Sequence, residues 1–117
     1  MASKSARLNK HACKAYFDEL TKQLEGKEAY IEVGSLSLGN QVESEWTRLL
    51  GIAYDPKSDL VEIDLEGLDH LIEHPKDIRV GYDHSGVQAI EIVDADDAKQ
   101  IVRLREPLQL PAPAGSP

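Results

Sequence analysis

Leu8, Ala12, Tyr16, Leu20 and Leu24 recur every four residues, with Cys13 and Phe17 beside them. This spacing predicts an amphipathic helix over about residues 10 to 25, with Asn9 at its N-cap and Gly26 just past its end. Lys14, Asp18 and Lys22 lie on the polar face, and Asp18 precedes Lys22 in the favourable i,i+4 order. Beyond Gly26 the apolar period changes from four to two. Ile31 and Val33 flank Glu32, a first strand near residues 28 to 33. The parity then slips to Leu36 and Leu38 across Gly34, which predicts a bulge there.

Gly39-Asn40 marks a turn, and Val42, Ser44 and Trp46 alternate with Glu43 and Glu45 in a second strand. Apolar character continues through Leu49, Leu50, Ile52 and Tyr54. Asp55 to Asp59 is a turn, since Asp can bond the backbone two residues on and Pro56 presets φ. Val61, Ile63 and Leu65 then face one way while Glu62, Asp64 and Glu66 face the other. After Gly67, the positions of Leu68, Leu71 and Ile72 predict a short helix, halted because Pro75 disfavours helical geometry at His74. Ile78, Val80 and Tyr82 open another alternation. Asp83 to Gly86 is a hairpin turn, residues 87 to 93 a strand, 94 to 97 a turn, and 100 to 104 a closing strand.

The predicted architecture is an α+β domain: an N-terminal helix packed on an antiparallel, curved sheet of five or six strands, with one short extra helix. Residues 1–7 read as a flexible start, 8–106 as a single domain, and 107–117 as a flexible Pro-rich tail. A chain of 117 residues fits one domain.

Charge narrows the partners. The net charge is −8, a sign that repels nucleic-acid phosphates and anionic lipid headgroups. The late basic group of Lys99, Arg103 and Arg105 reads as a solvated face. Cys13 is the single cysteine, so no internal disulfide is expected. No apolar run reaches the ~18 residues of a membrane span, and no secretory h-region follows Met1. The expectation is a cytoplasmic protein that binds neither nucleic acid nor membrane and carries no cofactor.

Five motifs suggest chemistry. His70-Leu71-Ile72-Glu73-His74 matches H-x-x-E-H, in which two histidines one helical turn apart share a metal. No third ligand is identifiable by spacing, and Pro75 interrupts the helix directly. What survives is a simple metal site at Asp69, His70 and His74. Asp94, Asp96 and Asp97 resemble a calcium loop, but Ala98, Lys99 and Arg105 stand where it needs an oxygen ligand, Gly and Glu. Gly34 to Gly39 has phosphate-loop spacing, yet Asn40 and Gln41 replace the required Lys and Ser/Thr. Asp83-His84-Ser85 holds triad residue types, but neighbours on a turn do not form a triad. Cys13 reads as a small core residue. A sixth feature is collective: if the strands carrying Glu43 and Glu45 and those carrying Glu62, Asp64 and Glu66 pair, one face gathers five acids suited to a basic partner or cation. Trp46 and Tyr82 are the candidate aromatic anchors of an interface.

The run Trp46…Leu49-Leu50-Gly51-Ile52…Tyr54-Asp55-Pro56, then Leu65-Glu66-Gly67-Leu68-Asp69-His70-Leu71-Ile72…Pro75, then Ile101-Val102-Arg103-Leu104 resembles a family of small bacterial proteins known only as a domain of unknown function. The resemblance covers roughly residues 10 to 110, with its specific core at Gly67-Leu68-Asp69-His70. It implies a bacterial single-domain protein and no established activity. Two functions follow as expectations. The first is a non-enzymatic protein-interaction or regulatory module, possible as a homodimer through free strand edges. The second is a small-molecule or metal-binding protein using the Asp69, His70 and His74 region.

Overall fold

The alternation at Leu60–Leu65 is realised in full: Val61, Ile63 and Leu65 are buried, and the residues between them face outward. It is one of eight strands among the described residues, here numbered with the one helix found there in chain order: β1 (Lys4–Arg7), α1 (Lys10–Thr21), β2 (Glu28–Ser35), β3 (Gly39–Asp55), β4 (Leu60–Leu65), β5 (Leu68–Glu73), β6 (Asp77–Asp83), β7 (Gly86–Val93) and β8 (Lys99–Leu108). The structure is a computed structural model that describes residues 4–35 and 39–113, with residues 40, 43 and 44 described by their backbone alone. The strands form one antiparallel sheet in the order β1-β6-β7-β8-β2-β3-β4-β5.

The expected α+β layering is overturned. Among the described residues the protein is mostly sheet, with eight strands rather than five or six and one helix of 12 residues. The extra helix at residues 68–73 is strand β5, paired in register with β4 from Leu65↔Leu68 to Leu60↔Glu73. Six residues are too few to sustain a helix, whereas Gly67, at φ 84°, reverses the chain onto a strand already in place. Pairing then buries Ile72 beside Val61. Residues 4–7, read as a flexible start, pair with β6 from Lys4↔Tyr82 to Arg7↔Arg79, so a strand precedes the helix. At the other end β8 runs on through Pro107 to a buried Leu108. The bulge expected at Gly34 lies elsewhere: β2 is continuous to Ser35, and the register shifts fall where β3 carries extra residues opposite Tyr30 and between Ile31 and Glu32. Leu36 and Leu38 lie outside the described residues.

β3 sets the overall shape. Its first half, to Arg48, pairs with β2; its second half, from Leu49, pairs with β4. The switch of partner turns the sheet on itself and encloses a core of Phe17, Leu20, Ile31, Ile63, Ile90 and Val102 among others. α1 lies against the second half of β3 on the side away from β4. There Thr21 Oγ1 accepts a hydrogen bond from Ile52 N–H at 3.1 Å and donates one to Ile52 C=O at 3.0 Å. One hydroxyl thus replaces the missing strand neighbour at that edge.

Candidate functional site

The residues expected to share a metal are drawn apart. On an extended strand, alternate residues face opposite ways, so His70 points inward with Ile72 while Asp69 and Leu71 point outward. His70 Nε2 lies 3.0 Å from Oε1 of the buried Gln100 on β8. The amide NH2 of Gln100 donates to Asp94 Oδ2 and to Ala98 C=O, both at 3.1 Å, which orients its oxygen toward the imidazole. His70 therefore carries its proton on Nε2. The chain His70–Gln100–Asp94 ties β5 to β8 across the interior. Asp94 itself is consumed by its own turn, accepting from the backbone N–H of Asp96 and Ala98, not by a calcium loop.

His74 leaves the strand in the left-handed region, at φ 50°, and meets Asp59, also left-handed at φ 51°. Its N–H donates to the Asp59 carbonyl at 2.8 Å, and its Nδ1 lies 3.3 Å from Asp59 Oδ2. Asp59 is the centre of a four-part cluster built from distant segments. Lys10 Nζ donates to both of its oxygens, at 2.8 and 2.9 Å, and Tyr54 Oη donates to Oδ1 at 2.7 Å. The Lys10 contact first, then Tyr54, hold the Asp59 carboxyl down at about 2. The same bond pushes the Tyr54 hydroxyl up to about 12. Cys13 lies fully buried nearby, and burial raises its thiol to about 11, which keeps it protonated and inert.

Asp69 joins a different group. Its carboxylate, with those of Glu62 and Asp64 on β4, places three oxygens within 4.8 Å of one another. Burial first, then the Glu62 charge and the Asp69 hydrogen bond, raise Asp64 to about 6. The five-acid face expected from Glu43, Glu45, Glu62, Asp64 and Glu66 is not assembled, because β4 pairs with the second half of β3 and the Glu43–Glu45 stretch pairs with β2. The side chain of Glu43 lies outside the described residues. Glu66 reaches Arg48 at 3.8 Å.

Trp46 is 42% exposed on the outer side of the sheet. Tyr30 of β2 tilts against it with ring centroids 5.5 Å apart, and the Arg105 guanidinium of β8 sits 5.4 Å from its ring centre. Arg105 is itself held by Glu28 at 2.8 Å. Val42 and Leu50, on the same strand, are also about half exposed, at 48% and 54%. Tyr82 is not part of this patch. It packs against the core on β6, four strands away in the sheet order, beside Asp83, His84 and Leu110. In the Asp83–Ser85 turn, Ser85 Oγ and the Gln88 amide donate to Asp83, and His84 takes no part in that pairing.

Sequence reasoning missed the Asp59 cluster and the roles of Tyr30, Arg105 and Gln100. The left-handed residues follow no sequence rule, and each grouping is made by strand order. The one usable signal was the pair Asp55-Pro56, which set the turn holding Asp59.

No helix among the described residues is long and apolar enough to cross a membrane. An Aquifex aeolicus (strain VF5) protein described as an uncharacterized protein is 41% identical over 112 residues, spanning 95% of this chain and 99% of its own length. No solved structure matches the chain. Residues 4–113 match the family model as well, and the chain belongs to the family of unknown function DUF5335.

Proposed function

We propose that the protein is a non-enzymatic interaction module that binds another protein through the outer face of its sheet around Trp46. One observation carries the reading: Trp46, Tyr30 and Arg105 meet on that face with Trp46 42% exposed. These three residue types dominate binding hot spots, because each offers a large rigid surface with a polar tip. Val42 and Leu50 extend the apolar area along β3. The ion pair from Glu28 to Arg105 fixes the guanidinium over the indole before any partner arrives.

The test is a photo-crosslinking residue placed at Trp46, with Lys57 on the β3–β4 turn as the control position. A discrete adduct from position 46 and none from position 57 is expected in bacterial cells. An adduct of twice 12.9 kDa would identify a second copy of the chain as the partner. Equal, diffuse labelling from both positions would sink the proposal.

A further inference from the structure

We infer that the outer edge of β5 is a docking site for an extended, basic segment of another protein, added to the sheet as a further strand. β5 ends the strand order, so one side of its backbone has no strand neighbour among the described residues. Such an edge is a template for pairing, and main-chain hydrogen bonds supply the affinity when a segment adds to it. β5 also exposes Leu71 (53%) and Leu68.

Charge selects the occupant. Glu62, Asp64, Asp69 and Glu73 lie on the outward side of β4 and β5, and none has a cationic partner among the described residues. Elsewhere on the sheet several acids are matched by cations: Glu28 with Arg105, Glu32 with Arg103, Asp77 with Arg79, Glu91 with Lys99. Self-pairing of β5 is disfavoured by the same charges. Antiparallel pairing centred on Leu71 would set Asp69 of each copy against Glu73 of the other. A strand alternating cations with apolar residues instead sets its cations on the outward side, beside Asp69 and Glu73, and its apolar residues on the inward side with His70 and Ile72. The edge is rigid before binding, held by the His70–Gln100 bond in its middle and the His74–Asp59 contacts at its end. Ordering it on binding therefore costs little.

The inference stands apart from the Trp46 surface, and its test separates the two. Fluorescein-labelled (Lys-Val)4 is titrated with the full chain and followed by anisotropy, beside (Lys-Pro)4, which has equal charge but cannot pair as a strand. Binding of (Lys-Val)4 is expected, weaker by about tenfold or more for (Lys-Pro)4 and for the Asp69→Asn/Glu73→Gln variant, with hydrogen exchange slowed at residues 68–73. Trp46→Ala is expected to bind as the wild type does. Equal binding of the two peptides, or of wild type and double variant, would reduce the effect to diffuse attraction and overturn the inference. So would no binding of (Lys-Val)4, or its loss in Trp46→Ala.

Discussion

Two aspartates, Asp59 in the turn before β4 and Asp64 within β4, respond to pH in opposite senses. Asp59 is held at about 2 by Lys10, Tyr54 and His74, below the 3.8 of a free aspartate. An acid with a depressed folded pKa adds stability that is present above the unfolded value and lost as pH falls through the folded one. Asp59→Asn should therefore cost about 1 kcal/mol at pH 7, after allowing for solvent screening at a partly exposed site, and only a small part of that at pH 2. Urea melts at the two pH values measure the gap, and a gap that persists in full at pH 2 would mean the loss is packing. Asp64 runs the other way, raised to about 6 by burial and by Glu62 and Asp69. Its folded form binds a proton the unfolded chain has released, so stability falls as pH rises through the window from 3.8 to about 6. Asp64→Asn should raise stability at pH 7 by up to roughly 1 kcal/mol and leave it unchanged at pH 3. No gain at pH 7 would show that the crowding is relieved by solvent. Neither behaviour was legible in the sequence. Asp59 looked like the end of a turn, and Asp64 one acid of a regular strand face, because their partners at positions 10, 54, 69 and 74 come from other elements.

At the scale of elements, alternation was a reliable guide where a strand has one buried and one open face. Residues 60–65, 78–82 and 87–93 are of this kind, and their strands stand where the pattern placed them. It failed where pairing alone makes the strand. Lys4–Arg7 has no apolar alternation and owes its conformation to β6, and Leu68–Glu73 carries a spacing that suits a helix until β4 is beside it. α1 was legible from its stripe, but its work at the β3 edge was not. That work gives a third prediction. Thr21→Val keeps the shape and removes the hydroxyl, leaving both Ile52 backbone groups without their partner in a partly buried place. The expected loss is about 1–3 kcal/mol, with faster hydrogen exchange at the Ile52 amide. Unchanged exchange there would mean water replaces the hydroxyl freely. Gly86 gives a fourth. It sits at φ 128°, and a Cβ there would stand 2.3 Å from the Leu108 carbonyl oxygen. Gly86→Ala should cost more than about 2 kcal/mol, because backbone rather than a mobile side chain must move. A near-neutral melt would mean that residues 108–110 swing away without loss.

For the whole molecule, the decisive contacts join the ends of the chain. Lys4 lies opposite Tyr82 and Ala29 opposite Leu104, while β2–β3–β4–β5 and β6–β7–β8 are each built from strands consecutive in the chain. This explains why topology was the least legible level: hairpins are written in turn residues, whereas the β2–β8 seam between the two meanders is written nowhere locally. It also sets the order of events. Each meander can form through short loops, but the core closes only when β2 meets β8, after most of the chain has given up its loop entropy. Such non-local sheets fold in milliseconds to seconds. Stopped-flow refolding should show that regime, and Val102→Ala, which thins the fully buried seam, should mainly slow folding. Refolding in microseconds, or an effect of Val102→Ala confined to unfolding, would place the β2–β8 pairing after the rate-limiting step and assign the nucleus to one of the meanders.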